Sequence, residues 1–333
     1  MSQYKHIPVM LKEVVDVVKP QQGKLIIDAT FGDGGYTKAF LEKGANVIAI
    51  DRDPNAIERA KILASQYAEK FTLELTNFAN LAEIEKISNQ NIDAIILDIG
   101  VSSMQIDNAI RGFSFQKEGP LDMRMSQTGI SAAEVINQLP ENELARIFYI
   151  LGEEKQAKIF AKAITEYRKI QPINTTLQLA TLIEKTNKIK QYKRNIHPAT
   201  KVFQALRIYV NDELGELVKV LFASEKILKN NGILVVVTFH SLEDRIVKRF
   251  FNSRSRLLQN SRYLPAVEVP DFSFEMIIKG IKTPSDDEIK NNPRSRSAKL
   301  RAAKRTSGEA YSPVEEDFLS AKMPRLKNFF IER

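Results

Sequence analysis

The sequence contains no cysteine, and its three histidines are widely separated. The chain therefore has no disulfide, no thiolate metal site and no thiol nucleophile, and the scattered histidines argue against a zinc site. Long apolar runs are also missing, since no stretch approaches the roughly 18–20 apolar residues of a membrane span. The first residues, M-S-Q-Y-K-H-I-P, lack the apolar core of a signal peptide. We therefore expect a cytoplasmic protein with no membrane partner and no bound metal.

Acidic residues are outnumbered, with 41 Asp and Glu against 49 Lys and Arg, which gives a net charge of +8. Most of this excess lies in the last 93 residues, where 19 basic residues face 13 acidic ones. The stretch 292–305, N-P-R-S-R-S-A-K-L-R-A-A-K-R, has six basic residues and no acidic one. Arginine forks and serine hydroxyls both bind phosphate oxygens. A solvated loop would explain this stretch too, but we favour a nucleic-acid contact through Arg294, Arg296, Lys299 and Arg301.

The best-defined pattern lies between Leu25 and Asp53 and predicts a strand, a glycine turn, a helix and a second strand. An apolar run begins at Leu25, as expected of a buried parallel strand. Three glycines follow, Gly32, Gly34 and Gly35, and they let the backbone turn sharply and approach a ligand. Asp51 ends the second strand, where a carboxylate can accept both hydroxyls of a ribose. The stretch therefore predicts a pocket for a nucleoside cofactor.

Two acids accompany the glycine turn, with Asp28 opening it and Asp33 inside it. Carboxylates would repel the pyrophosphate of a dinucleotide, whereas they would attract the sulfonium and ammonium groups of S-adenosyl-L-methionine (SAM). The spacing G-x-G-G also departs from the dinucleotide fingerprint G-x-G-x-x-G. We therefore favour SAM as the cofactor. A nicotinamide dinucleotide site is one alternative, and a tight turn capped by an aspartate is another.

Two further candidates lie where the next strands end. Phe78 follows the predicted third strand, Phe71 to Leu75, and is placed to cover an adenine ring, although an ordinary loop aromatic would fit as well. Asp98 ends the predicted fourth strand, Ile92 to Leu97. Ligands of open α/β sheets bind beyond the carboxyl ends of the strands. We expect Asp98 to face the methionine end of the cofactor or the substrate, with a helix cap as the alternative.

Helical patterns replace the strand–helix alternation after this point. A capping box at Ser131 and Glu134 begins a series of helices that continues to about residue 190. The sheet resumes at Gly232 to Phe239, and 272–278 and the stretch after Phe329 are candidates for the last antiparallel strands. Another capping box is expected at Ser241 and Asp244. We predict an α/β sheet domain (1–107 and 198–333) interrupted by a helical substrate-recognition insertion (108–197) between the fourth and fifth strands.

The missing cysteines restrict the chemistry open to a SAM enzyme. Methylation of pyrimidine carbon-5 ordinarily needs a cysteine nucleophile, and radical SAM chemistry needs cysteine-held iron–sulfur clusters. Direct transfer to nitrogen or oxygen remains. An exocyclic base amine is a poor nucleophile because its lone pair is delocalised into the ring, so it needs an acceptor and a fixed approach. Asp98 and the backbone of 101–103 are the candidates for that acceptor.

Motifs along most of the chain resemble those of one family, the bacterial ribosomal RNA small subunit methyltransferase H (MraW) family. They lie between residue 6 and about residue 301 and read H-I-P-V-M-L-K-E, D-A-T-F-G-D-G-G-Y, D-I-G-V-S-S-M-Q-I-D, R-G-F-S-F, G-P-L-D-M-R-M, H-P-A-T-K-V-F-Q-A-L-R-I, N-D-E-L-G-E-L, F-H-S-L-E-D-R and N-P-R-S-R-S-A-K-L-R. The resemblance implies a Rossmann-like SAM-dependent methyltransferase fold with a helical insert. It also implies N4-methylation of a cytidine in the decoding region of 16S rRNA, within the small ribosomal subunit, and it leaves a homodimer open.

The resemblance also implies a set of cofactor-binding residues. By position these are Gly34, Gly35, Tyr36, Asp51, Phe78, Asp98 and Gln105. Gln105 is the one among them that the residue patterns do not indicate. Tyr36 stands where a histidine is common, and Met104 stands where a proline is usual, which predicts a less rigid loop around Gln105. Two other functions stay open at this point: an NAD-linked oxidoreductase, which the acids of the turn disfavour, and a ribosome-binding protein on a degenerate methyltransferase fold.

Overall fold

A computed structural model describes residues 7–188, 197–255 and 271–326. The chain separates into two units, Met1–Gly100 with Glu216–Leu319 and Val101–Gly215 with Ser320–Arg333. These boundaries differ from the predicted domains of 1–107 with 198–333 and of 108–197. The second unit is larger than the predicted insertion, because it also includes residues 101–107, residues 198–215 and the residues after 319.

The first unit contains a seven-stranded sheet. Its strands are β1 (Leu25–Asp28), β2 (Asn46–Asp51), β3 (Phe71–Leu75), β4 (Ile92–Asp98), β5 (Leu228–Thr238), β6 (Phe274–Met276) and β7 (Lys299–Arg305). They are arranged in the order β3-β2-β1-β4-β5-β7-β6. The pairs among β1 to β5 are parallel, and β7 is antiparallel to both of its neighbours. This confirms the predicted fold class, a Rossmann-like methyltransferase sheet.

The central strands are apolar because both of their faces are covered. Ile26, Ile27, Ile95 and Ile96 are all fully buried. Burying an aliphatic side chain of this size stabilises a fold by roughly 1.5–3 kcal/mol. The alternation of strand and helix along the chain therefore builds a parallel sheet whose order reverses between β1 and β4, where open α/β sheets bind ligands.

Among the described residues, six helices belong wholly to this unit: α1 (Leu11–Val18), α2 (Gly35–Glu42), α3 (Ala56–Tyr67), α4 (Glu85–Ser88), α12 (Ser241–Ser255) and α13 (Asp286–Asn291). Val14 of α1 and Phe40 of α2 are fully buried and belong to one apolar cluster with Ile26 and Val47 of the sheet. The helices thus cover the strands with single apolar stripes, as their sequence periodicity predicts.

Strand β7 is the main departure from the sequence-based fold. We predicted a solvated or RNA-contacting loop here, and a last strand after Phe329. Instead Lys299–Arg305 lies between β5 and β6, and Leu300, Ala302 and Ala303 are buried. The loop prediction was wrong for 299–305, because the basic residues obscured the apolar residues of a strand. The residues after Phe329 lie outside the described ranges.

The second unit is helical. It contains α5 (Ser103–Asp107), α6 (Ala132–Gln138), α7 (Glu141–Leu151), α8 (Ala157–Arg168), α9 (Thr176–Thr186) and α10 (Thr200–Asn211), and α11 (Glu213–Ile227) begins in it. Ser131 and Glu134 form the predicted capping box of α6. Phe148 of α7, Phe160 and Ile164 of α8 and Leu206 of α10 are fully buried. Across the described ranges, no helix combines the length and the apolar character that crossing a membrane requires.

Candidate cofactor site and basic edge

Three aspartates end three neighbouring parallel strands of the first unit. Asp28 ends β1, Asp51 ends β2 and Asp98 ends β4, and β1 pairs with both of the other strands. Because the carboxyl ends of parallel strands meet at one edge, these carboxyl groups share what we call the carboxyl edge of the sheet. The sequence predicted all three positions, and the strand order brings them together.

The glycine turn lies at the same edge. Gly32 and Gly34 both have a positive φ, 51° and 75°, which residues other than glycine rarely adopt. Gly35 has a different role, since a Cβ there would lie 2.1 Å from Cγ of Pro8. The third glycine therefore lets the segment before α1 pack against the start of α2. All three glycines shape the turn, and Gly32 also contacts Asp51 directly.

Asp51 is held by backbone amides on both of its oxygens. Oδ2 accepts a hydrogen bond from the amide of Gly32 at 2.8 Å, and Oδ1 accepts one from the amide of Asp53 at 2.8 Å. Burial raises the pKa of Asp51 to about 6, although these two hydrogen bonds lower it. Each carboxylate oxygen keeps a second lone pair, so the group can accept a pair of ribose hydroxyls.

The two acids that favoured SAM in the sequence are both engaged by the protein itself. Asp28 is fully buried, and its Oδ2 accepts a hydrogen bond from the hydroxyl of Thr37 at 2.7 Å. Burial raises the pKa of Asp28 to about 6. Asp33 forms an ion pair with Arg59, at 3.2 Å between Oδ1 and Nε. Both acids of the turn therefore have partners within the protein, a hydroxyl for Asp28 and a guanidinium for Asp33.

Asp98 is the third of these strand-end acids. Its Oδ1 is buried, and among the described residues it has no hydrogen-bond partner. Its amide donates to the hydroxyl of Thr30 at 2.7 Å, a contact that the sequence did not reveal. Burial raises the pKa of Asp98 well above its usual value, and the charges of Asp28 and Glu243 raise it further. A buried carboxylate with an unused acceptor fits a ligand that carries positive charge or N–H groups, as SAM does.

The other predicted first-unit cofactor residues occupy the turn and the end of β3. Tyr36 is buried, its phenol donates to the carbonyl of Val9, and its ring stacks on Phe40. Its side chain is therefore structural, and its backbone is the part left for a cofactor. Phe78 is half-buried at the first position of a 3₁₀ helix, Phe78–Glu83, directly beyond β3. This is the position that the sequence assigned to it.

Gln105 belongs to the second unit, in α5. Its Oε1 accepts from the amide of Ser102 at 3.0 Å, and its own amide donates to Oγ of Ser102 at 3.2 Å. This capping box begins α5 and holds the side chain of Gln105 in a buried position. Met104 beside it is 44% exposed. Gln105 therefore caps α5 in the structure. The sequence S-S-M-Q matches the capping-box pattern S-x-x-Q and could have predicted this role.

His240 and Glu243 form a reciprocal capping arrangement at the start of α12. Nδ1 of His240 accepts from the amide of Glu243 at 3.4 Å, and Oε2 of Glu243 accepts from the amides of Phe239 and His240 at 2.8 and 3.2 Å. Oε1 of Glu243 also lies 2.9 Å from Nε2 of His240. Asp244, the predicted partner of Ser241, forms an ion pair with Arg301. Sequence analysis missed Glu243, although its i+3 spacing from His240 is the signal for such a box.

The four predicted RNA-binding residues divide into two pairs. Arg301 is only 7% exposed, with Nε 2.8 Å from Oδ1 of Asp244, and Lys299 lies 3.4 Å from the same carboxylate. Arg294 and Arg296 are exposed, in the 3₁₀ helix Pro293–Ser297 before β7. The guanidinium of Arg301 is already bound within the fold, so Arg294 and Arg296 are better placed to bind a phosphate.

The exposed pair lies at the carboxyl edge. Lys299, the first residue of β7, pairs with Thr238 at the end of β5, and Asp98 pairs with the preceding residue, Val237. The 3₁₀ helix that carries Arg294 and Arg296 ends at Ser297, and Ala298 alone separates it from β7. The two arginines therefore precede a strand whose second residue, Leu300, is in register with Asp98 through Val237 of β5.

Comparison with known proteins gives the family. The MraW methylase family model matches residues 3–306. The ribosomal RNA small subunit methyltransferase H of Brucella anthropi is 52% identical over 98% of this chain and 93% of its own. The protein of the same name from Agrobacterium fabrum is 53% identical over 97% of this chain and 93% of its own. With this sheet and its three strand-end aspartates, the chain belongs to the MraW methylase family and uses SAM as its methyl donor.

Proposed function

We propose that the protein methylates N4 of a cytidine in the decoding region of 16S rRNA, within the small ribosomal subunit, by direct transfer to the exocyclic amine. The relatives carry the name ribosomal RNA small subunit methyltransferase H, which supports the substrate. The observation that carries the chemistry is the buried, unpartnered Oδ1 of Asp98 at the end of β4. We place the reaction in the cytoplasm, and a homodimer remains a prediction.

The cofactor is held at the carboxyl edge of the sheet. SAM, when bound, supplies an electrophilic methyl group on a sulfonium sulfur. Asp51 accepts the ribose hydroxyls, the backbone of 34–36 borders the methionine portion, and Phe78 covers the adenine. Each assignment follows from position: Asp51 and Phe78 lie beyond β2 and β3, and the glycine turn lies beyond β1. Together these residues fix the cofactor while Asp98 remains available to the amine.

Asp98 performs the proton chemistry. The lone pair of N4 is delocalised into the cytosine ring, so a hydrogen bond from the amine to Oδ1 of Asp98 raises the electron density on the nitrogen. When N4 gains the methyl group it must lose a proton, and the same oxygen takes it. The step requires the ionised form of Asp98, which the positive charge of bound SAM would favour over the protonated form. The N–C bond would form as the methyl–sulfur bond of SAM breaks and its thioether leaves, the N–H bond would break, and Asp98 would end protonated.

Arg294 and Arg296 bind phosphates of the rRNA beside this site. Both are exposed, and they flank the buried Ser295, whose hydroxyl donates to the carbonyl of Asn292 at 2.8 Å. This bond anchors the 3₁₀ turn, so the two guanidinium groups project from a fixed backbone. Phosphate contacts of this kind position a nucleic acid without reading its sequence.

The test compares binding of small subunits by the unaltered protein and by the double variant Arg294→Ala, Arg296→Ala. Each phosphate contact to single-stranded RNA contributes about 0.7 to the slope of log K against log salt concentration. We expect weaker binding and a slope that falls by roughly 1.4 for the pair. Lys38→Ala is the control, because Lys38 is an exposed cation on α2 that faces Glu42. An unchanged slope would remove these arginines from the RNA surface.

A further inference from the structure

Helices α7 and α8 of the second unit border a groove of 930 Å³. Its volume falls within the roughly 300–1,000 Å³ of ordinary ligand sites. One wall is the face of α7 that carries Arg146 and Tyr149, and the other is the start of α8 with Lys155 and Lys158. The groove lies wholly in the helical unit and shares no residue with the cofactor site.

Tyr149 is the dominant exposed group of this groove. It is 67% exposed, whereas its neighbour Phe148 is fully buried in the core of the unit. The ring of Tyr149 therefore contributes little to folding and presents an aromatic surface to solvent. Exposed rings of this kind, next to cations, are the platforms on which single-stranded nucleic acids stack their bases.

The charge around Tyr149 is positive. Lys155 and Lys158 are exposed, and neither forms a hydrogen bond or an ion pair within the described ranges. Arg146 is held in place by the carbonyl of Lys322, at 2.8 Å from Nη2. Glu141 is the acid of the groove, and its Oε2 accepts a hydrogen bond from the hydroxyl of Thr165 at 3.1 Å. Arg146 is also ion-paired with Glu143, at 3.3 Å. The two remaining cations, Lys155 and Lys158, outnumber Glu141 and suit an anionic occupant.

We propose that this groove binds a single-stranded segment of the substrate RNA, with a base stacked on Tyr149 and phosphates against Lys155 and Lys158. The proposal rests on the proposed function for the identity of the RNA. An unstacked nucleotide offers both a π face and a negative charge, and the groove offers the complement of each. A nucleotide here would anchor RNA at a site separate from the reacting base.

Steady-state kinetics with unmodified small subunits give the first test. We expect Tyr149→Ala to raise KM for the subunit roughly 5- to 150-fold, the range for loss of one base–aromatic contact, and to leave kcat nearly unchanged. Tyr149→Phe should retain the unaltered KM. Ile170→Ala is the matched control, since Ile170 is 86% exposed in the same unit and lies outside the groove lining. An equal KM for Tyr149→Ala and the unaltered protein overturns the proposal.

Fluorescence gives a second test that needs no methyl transfer. The chain has no tryptophan, so Tyr149→Trp introduces a single reporter. We expect a ten-residue oligouridylate to quench this reporter, and Lys155→Glu with Lys158→Glu to abolish the quenching. Absence of quenching by oligouridylate overturns the proposal. Quenching by the small subunit but not by oligouridylate would assign the groove to a ribosomal protein and also overturns it.

The two tests separate failure of this inference from failure of the proposed function. Absence of methyl transfer by the unaltered protein would reject the proposed reaction, and the fluorescence result would stand independently. Normal transfer with an unquenched reporter would reject the groove alone.

Discussion

Asp51→Asn is expected to weaken SAM binding and, at the same time, to stabilise the free protein at pH 8. The carboxylate lies at the end of β2 and accepts hydrogen bonds from the amides of Gly32 and Asp53. An asparagine keeps the shape and one acceptor oxygen, but it carries no charge and cannot accept at both positions. The two effects have opposite signs because the charge that binds the cofactor is costly to bury.

The magnitudes follow from the pKa of Asp51, which burial raises from 3.8 to about 6. A shift of about two units corresponds to roughly 3 kcal/mol. The folded state binds this proton more tightly, so the stability contribution is full below pH 3.8 and is lost as the pH rises past 6. Losing one backbone hydrogen bond costs the variant about 1 kcal/mol, which leaves a net gain near 2 kcal/mol at pH 8.

Cofactor affinity should fall in the same variant. A hydrogen bond to a charged acceptor contributes about 1.5–3 kcal/mol, so losing one ribose contact weakens SAM binding roughly 10- to 150-fold. Titration calorimetry measures the affinity, and urea unfolding at pH 4 and pH 8 measures the stability. Glu58→Gln is the control, since Glu58 is exposed on α3 and pairs only at the surface with Lys61. Unchanged affinity, or the same pH dependence of stability in variant and unaltered protein, would refute the reasoning.

Two further substitutions test the proton acceptor and the core. Asp98→Asn should lower single-turnover methyl transfer about 10²- to 10⁴-fold, because an amide cannot take the proton from N4; a rate within threefold of the unaltered enzyme would contradict this role. Arg254→Ala should cost about 3–5 kcal/mol of unfolding free energy in urea, because it strands the buried carboxylate of Glu225, which lies 3.0 Å from the Arg254 Nε. The guanidinium also lies 4.6 Å from the centre of the Phe250 ring, a contact that a lysine cannot reproduce. Arg254→Lys should therefore restore little of the lost stability, and full restoration of the unfolding free energy would show that the charge alone matters.

Strand positions were largely predictable because buried parallel strands are apolar and are bounded by turn signals. Phe71–Leu75 was predicted to the residue, and β1, β2 and β4 were predicted within one or two residues. The cofactor side followed from the same logic, since aspartates that end parallel strands meet at one edge. Local sequence therefore predicts both the parallel strands and the positions of Asp28, Asp51 and Asp98 at their ends.

Long-range pairing is what the sequence could not show. Arg301 was predicted to contact RNA, but the structure buries both Arg301 and Arg305. Arg301 donates to Asp244, and Arg305 donates to the carbonyl of Glu225. Those partners are 57 and 80 residues away, so no local pattern reveals them. The same limit hid the ion pair of Asp33 with Arg59, 26 residues further along the chain.

The central claim is transfer of a methyl group from SAM to N4 of a cytidine in 16S rRNA. The most direct measurement is nucleoside mass spectrometry after incubation with isotopically labelled SAM and unmodified small subunits. The account predicts label in N4-methylcytidine, lost in Asp98→Asn and retained in Ile170→Ala. Label in another nucleoside, or no label despite measurable SAM binding, would contradict it.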